Sequence, residues 1–234
     1  MANNREIKIQ RNIVERGLMV VLNFVKSNRK LVLYSSAGLI LAICLITGLL
    51  VYVNNAAQKD LAKFETILDE YRQSYAENEQ NRRENLENTV KKLENVIDSS
   101  YWGYVHDNGN YIIGTLYFNE EMYKEARDYF TRFADDTSSF FTPLAYQQAA
   151  ISSEHLGEYK KALETYTILE NEYEDSYLMD QVYYNLGRMY QVEKELFKAR
   201  EYYNKVISQY PQSFFAESAK SRLLLLGALE KSPE

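Results

Sequence analysis

DQVYYNLGRMYQVEKELFKAREYYNKVISQYP, residues 180–211, decides the reading of this chain. Counted from Asp180 as position 1, Tyr183, Leu186, Gly187 and Tyr190 fall at positions 4, 7, 8 and 11, and Ala199, Tyr203, Val206 and Pro211 at 20, 24, 27 and 32. The first four recur at helical spacing on one face, and so do Ala199, Tyr203 and Val206. Small Gly187 and Ala199 allow two helices to approach closely, the rings and branched side chains fill the space between them, and Pro211 cannot continue the second helix. The segment therefore predicts a pair of packed antiparallel helices.

The same register fits twice more upstream. From Asp107 it finds Ile113, Gly114, Tyr117, Ala126, Phe130 and Phe133, with Asn110 departing at position 4. From Pro143 it finds Tyr146, Ala149, Ala150, Gly157 at the turn, Tyr159, Ala162, Tyr166 and Leu169. The starts lie 36 and 37 residues apart. These three units, over 107–211, resemble tetratricopeptide repeats, whose period is about 34 residues; slightly longer connections between units would absorb the difference. Residues 58–75 and 81–97 also carry helical periodicity, interrupted by a polar run from Glu77 to Asn85, and read as a degenerate first helix pair. Ser213 to Leu229 reads as a closing helix. Atypical ends are expected of a solenoid, since a terminal unit has a neighbour on one side only.

The N-terminal end has a different character. Leu31 to Val53, LVLYSSAGLILAICLITGLLVYV, contains no charge over 23 residues. As a helix it would be about 35 Å long, enough to cross a hydrocarbon core of about 30 Å. Residues 1–30 hold seven Lys/Arg against Glu6 and Glu15, whereas residues 54–234 hold 20 basic and 31 acidic residues. Basic residues gather on the cytoplasmic side of a membrane helix, so the expectation is a cytoplasmic N-terminus and a C-terminal part across the membrane. Residues 7–25 mix apolar and basic positions as a surface-lying helix would.

The expected fold class is thus all-α: an N-terminal transmembrane helix followed by an α-solenoid of tetratricopeptide-like helix pairs. The expected organisation is a basic segment 1–30, a membrane helix 31–53, a degenerate pair or linker 54–106, three repeats 107–211, and a closing helix and tail 212–234.

Composition narrows function. The acidic C-terminal part would be repelled by phosphates, which argues against nucleic acid. Cys44 stands alone within the apolar run, and His106 and His155 lie far apart, so neither a disulfide framework nor a metal site is expected. Gly-rich phosphate loops and nucleophile elbows are not found. No enzyme activity and no cofactor are predicted.

Binding is the remaining class. The first helix of each pair lines the concave side of such arrays. In this register positions 2, 5, 9 and 12 face inward. These are Asn108, Tyr111, Thr115 and Phe118 in the first unit, Leu144, Gln147, Ile151 and Glu154 in the second, and Gln181, Tyr184, Arg188 and Gln191 in the third. Aromatic and Arg side chains among polar neighbours suit a protein or peptide groove.

The layout resembles the ancillary subunit of the bacterial Sec translocon, with the local match at VLNFVKSNRKLVL (21–33). That resemblance implies residence in the bacterial inner membrane with the repeat domain in the periplasm. The partners it implies are translocon subunits, periplasmic chaperones or exported chains. QYPQSFFAESAKSRLLLL (209–226) instead looks like repeats of envelope proteins in cell-division coordination and outer-membrane assembly. Self-association through the Tyr-rich faces is a further possible mode.

Overall fold

A computed structural model describes the backbone of residues 2–77 and 81–229 and the side chains of 15–74 and 81–227. The centre of the polar run at 77–85, the basic side chains ahead of residue 15 and the tail beyond 229 lie outside the described residues. Among those described there are ten helices and no strand: α1 (Ala2–Ser27), α2 (Arg29–Glu77), α3 (Arg82–Ser99), α4 (Tyr104–Asn119), α5 (Tyr123–Asp136), α6 (Thr142–His155), α7 (Tyr159–Glu172), α8 (Met179–Val192), α9 (Leu196–Gln209) and α10 (Phe214–Leu229). The chain divides into two compact units, Met1–Ala56 and Ala57–Glu234, with the boundary inside α2.

The first unit holds α1 and the apolar part of α2. Among the described residues, α2 is the helix long and apolar enough to cross a membrane, and none of its most apolar stretch is buried. Leu33, Leu39, Leu45 and Leu50 are each more than 60 % exposed.

The second unit is an all-α helical repeat. In it α4/α5, α6/α7 and α8/α9 form three successive helix pairs. The final part of α2 and α3 precede them, Phe64 and Tyr71 of α2 meeting Leu86, Val90 and Leu93 of α3 in one apolar cluster. The packing of each pair follows from the small residue at position 8. A Cβ added at Gly187 would stand 2.6 Å from the ring of buried Tyr203, and one at Gly114 2.9 Å from Phe130. At the same position of the second pair stands Ala150, packed in one cluster with Tyr166.

The turns within the pairs are built alike. Glu121, Gly157 and Lys194 all take positive φ (59°, 73° and 62°). The following amide reaches back to the carbonyl five residues earlier, Met122 to Tyr117, Glu158 to Ser153 and Glu195 to Tyr190, each at 2.9 Å. Glu121, Gly157 and Lys194 themselves donate three residues back. This is the Schellman closure, which satisfies carbonyls that a helix end leaves open. The second helices are tied outward in a similar way: Tyr129 of α5 donates to Glu94 of α3, and Tyr202 of α9 to Glu170 of α7, where Lys205 adds an ion pair at 2.7 Å.

Two large buried clusters run through the array, beside a small third one of Phe133, Ala134 and Ala145 between α5 and α6. One collects side chains from Phe64 to Ala149, the other from Ala150 to Leu226. Helix α6 feeds both. The closing helix α10 buries Ala216, Ala219 and Leu226 and turns a mixed face outward, the exposed Glu217–Lys220 ion pair beside exposed Leu224 and Leu225.

Candidate functional site

The turn at Gly157 sets α7 against α6, and the close packing of the repeats brings α8 alongside. Ile151, Glu154 and His155 of α6, Tyr159 of α7, and Gln181, Asn185 and Arg188 of α8 line a groove of about 380 Å³. Its floor is a closed ring of hydrogen bonds. Arg188 Nη2 donates to Glu154 Oε2 at 2.7 Å and Nη1 to Asn185 Oδ1 at 3.0 Å. Asn185 Nδ2 donates to the Tyr166 hydroxyl at 3.1 Å, and that hydroxyl donates to Glu154 Oε1 at 2.7 Å. Each of the four side chains both touches its neighbours and uses its polar atoms in the sense its chemistry allows.

Burial makes the ring matter. Tyr166 is fully buried and Asn185 4 % exposed, while the Glu154 and Arg188 side chains are 11 % and 33 % exposed. Burial and the adjacent Glu154 carboxylate raise the Tyr166 pKa far above its ordinary value, so the hydroxyl keeps its proton and remains a donor. A charge-assisted pair of this kind holds the guanidinium in place, because removing either partner would leave a largely desolvated charge. The groove thus offers a fixed cation, its charge matched by Glu154, beside the amide of Gln181. That set can donate to and accept from the backbone of a bound polypeptide.

Of the twelve positions expected to face inward, Asn108 donates to Tyr104 O and Leu144 packs on the core, and the other ten separate into three groups. Ile151, Glu154, Gln181 and Arg188 come together in this groove. Tyr111 and Thr115 line a second hollow of about 580 Å³, more apolar, with Ile112 and Leu116 of α4 and Leu68 of α2. Phe118, Tyr184, Gln191 and Gln147 serve packing instead. Phe118 meets Tyr123 and His155 edge-on at 5.3 and 5.8 Å. Tyr184 lies between Tyr203 and Phe215 at 5.8 and 5.5 Å, and Gln191 accepts from the Tyr203 hydroxyl at 2.9 Å. Gln147 is only 2 % exposed, and its Oε1 has no hydrogen-bond partner among the described residues; it is interior, because α6 has neighbours on both sides. Tyr111 is itself half-buried, its ring 5.3 Å from Phe130.

Asn185 and His155 are groove residues that the register did not single out, and Tyr159 and Tyr166 it placed only among the packing positions. The usable signal was Asn185, an amide at position 6 flanked by the interior residues Val182, Tyr183 and Leu186. His155 stacks on Tyr123 at 4.2 Å.

Comparison with known proteins bears on the fold. Residues 181–213 match the tetratricopeptide repeat family model. Over 73 residues the chain is 38 % identical to an uncharacterized protein of Borreliella burgdorferi, a match that covers 30 % of this chain and 21 % of that protein. The chain thus spans about a fifth of that relative's length. A crystal structure of a tetratricopeptide repeat protein from Parabacteroides merdae superposes with a TM-score of 0.52 at 15 % identity, covering 71 % of this chain and 61 % of that one. A structure of MamA from Desulfovibrio magneticus matches with a TM-score of 0.46 at 17 % identity, covering 74 % and 97 %. The chain is all-α, with a tetratricopeptide-type repeat fold.

Proposed function

We propose that this chain is a membrane-tethered adaptor that holds a partner polypeptide in the groove between α6, α7 and α8. The observation that carries the reading is the closed ring of Glu154, Tyr166, Asn185 and Arg188, which fixes a partly exposed guanidinium at the groove floor. Pre-set polar groups lower the ordering cost of binding.

Tethering is supported by the apolar run at Leu31–Val53. Its serine and threonine hydroxyls are satisfied within the helix, Ser35 on Val32 O, Ser36 on Leu33 O and Thr47 on Ile43 O, as a lipid environment favours. The basic flank supports a cytoplasmic N-terminus, with the repeats in the periplasm of a bacterial inner membrane. There the partners are translocon subunits, periplasmic chaperones or exported chains. The alternative is an adaptor or scaffold of cell division or outer-membrane assembly, favoured by the sequence at 209–226.

The test is photo-crosslinking in native membranes, with the photoreactive residue at Ile151 or Gln181 of the full chain and at exposed Glu201 as control. Translocon components or exporting chains captured from the groove positions alone support the export reading. Division or assembly proteins support the alternative. Identical products from Glu201 and from the groove would sink the groove as the binding face.

A further inference from the structure

Four exposed aromatic residues recur outside the repeat register, just where each connection enters the next helix. Tyr104, Phe140, Tyr177 and Phe214 are separated by 36, 37 and 37 residues and are 55 %, 71 %, 54 % and 79 % exposed. The local build repeats too. Ser139, Ser176 and Ser213 each accept, through Oγ, the backbone amide two residues on (Phe141, Leu178, Phe215) at 3.1, 3.3 and 3.0 Å. This side-chain turn fixes the residue between them. In the middle of the series the rings of Phe140 and Tyr177 stack on each other at 5.0 Å.

These two rings flank a cleft of about 520 Å³ walled by Pro143 and by Glu172, Glu174 and Asp175; it has no basic side chain in its lining and shares no residue with the groove at Arg188. None of the three carboxylates forms an ion pair or side-chain hydrogen bond among the described residues. The sequence deepens the asymmetry: residues 133–159 and 162–187 contain no Lys or Arg. Exposed aromatic faces beside unneutralised carboxylates form a receptor for a cation, attracted by the ring quadrupole and by the acids together.

We propose that the Phe140–Tyr177 cleft docks an extended, basic polypeptide segment, one Lys or Arg side chain of which enters between the rings and the Glu172–Asp175 carboxylates. A folded acidic surface is repelled there. An apolar peptide would leave the carboxylates desolvated and unpaired, at a cost. This surface is independent of the groove assigned above to the partner.

The experiment uses the full chain in detergent micelles and fluorescence anisotropy of two labelled twelve-residue peptides, identical except for Lys in one and Glu in the other. The Lys peptide is expected to bind and the Glu peptide not to. Raising NaCl from 50 to 300 mM should weaken binding several-fold, as the Debye length shortens. F140A/Y177A and, separately, E172Q/E174Q/D175N should each weaken it about tenfold, the scale of one lost cation contact. The second variant removes no packing and so guards against misfolding. I151A/Q181A, which alters only the groove, should leave the affinity unchanged; if it alone abolishes binding, the peptide sits in the groove and the cleft proposal falls. Equal binding of both peptides, or full affinity in both cleft variants, overturns it as well. So does a concentration-dependent dimer, lost in the cleft variants, in a protein that ignores the Lys peptide.

Discussion

The backbone of Gly187 lies directly against the ring of Tyr203, so close that a single methyl group would sit 2.6 Å from Cε1. The ring is fully buried and its hydroxyl is held by Gln191, so it cannot swing away without breaking that bond. Gly187→Ala is therefore expected to destabilise the repeat domain by about 1–3 kcal/mol, despite the better helix propensity of Ala. Gly114→Ala, against Phe130 at 2.9 Å, should cost less. Urea unfolding followed by circular dichroism measures both; a Gly187→Ala protein as stable as the parent would show that the ring yields freely.

The three Schellman turns offer a comparison in which side-chain packing plays no part. Gly157 has nothing within 4 Å of an added Cβ, so Gly157→Ala tests backbone strain alone and should cost about 1 kcal/mol. Lys194 occupies the same left-handed conformation with a full side chain. Lys194→Gly should be neutral to stabilising by up to about 1 kcal/mol, as relief of strain exceeds the added freedom of the unfolded chain. Opposite signs for the two substitutions in thermal unfolding are the expected result, and equal signs would reject the argument.

Alkaline pH should unfold the array. Burial pushes the Tyr203 pKa up to about 12 from 10.0, against the opposing pull of Arg222. Tyr129, Tyr146 and Tyr202 are raised as well, by burial first and then by hydrogen bonds to Glu94, Asp135 and Glu170. A folded-state pKa above the unfolded one means that the unfolded chain loses its protons first. The stability from these groups is therefore intact below pH 10 and falls as pH rises from 10 to 12. Melting temperature against pH, with tyrosinate absorbance in parallel, should show unfolding and ionisation together; Tyr residues that all titrate near 10 in a folded protein would contradict it.

The core was legible from 180–211 because steric demand at positions 8 and 24 is local. Gly187 opposite Tyr203 and Gly114 opposite Phe130 are helix-pair contacts that spacing alone predicts. The groove was legible only in part. Which side chains of α6 face outward depends on how closely α4, α5 and α8 crowd it, and that is set by the array, not by α6; hence Gln147 turned inward while Ile151 and Glu154 lined the groove. The Phe140–Tyr177 series was missed for another reason. It falls in connections ahead of each repeat start, where a helical register gives no expectation.

Cys44 provides a probe of the apolar run. It is the single cysteine of the chain and is exposed in the structure. If Leu31–Val53 spans a bilayer, the thiol sits where no water can support the reactive thiolate. An impermeant maleimide should leave it unlabelled in intact membranes and label it after SDS. Labelling in intact membranes would reject the span.

Helix α6 belongs to both large apolar clusters, Ala149 facing one and Ala150 the other. In an array whose members touch only their neighbours, cooperativity extends as far as an unbroken chain of interfaces. An element shared by two cores is the keystone between them: its melting leaves two blocks, each with a bared side. Its opening therefore costs as much as opening everything, while α10 and the start of the array can fray alone. Hydrogen exchange should find the slowest amides in 145–153, and early exchange there would mean that the two blocks fold independently.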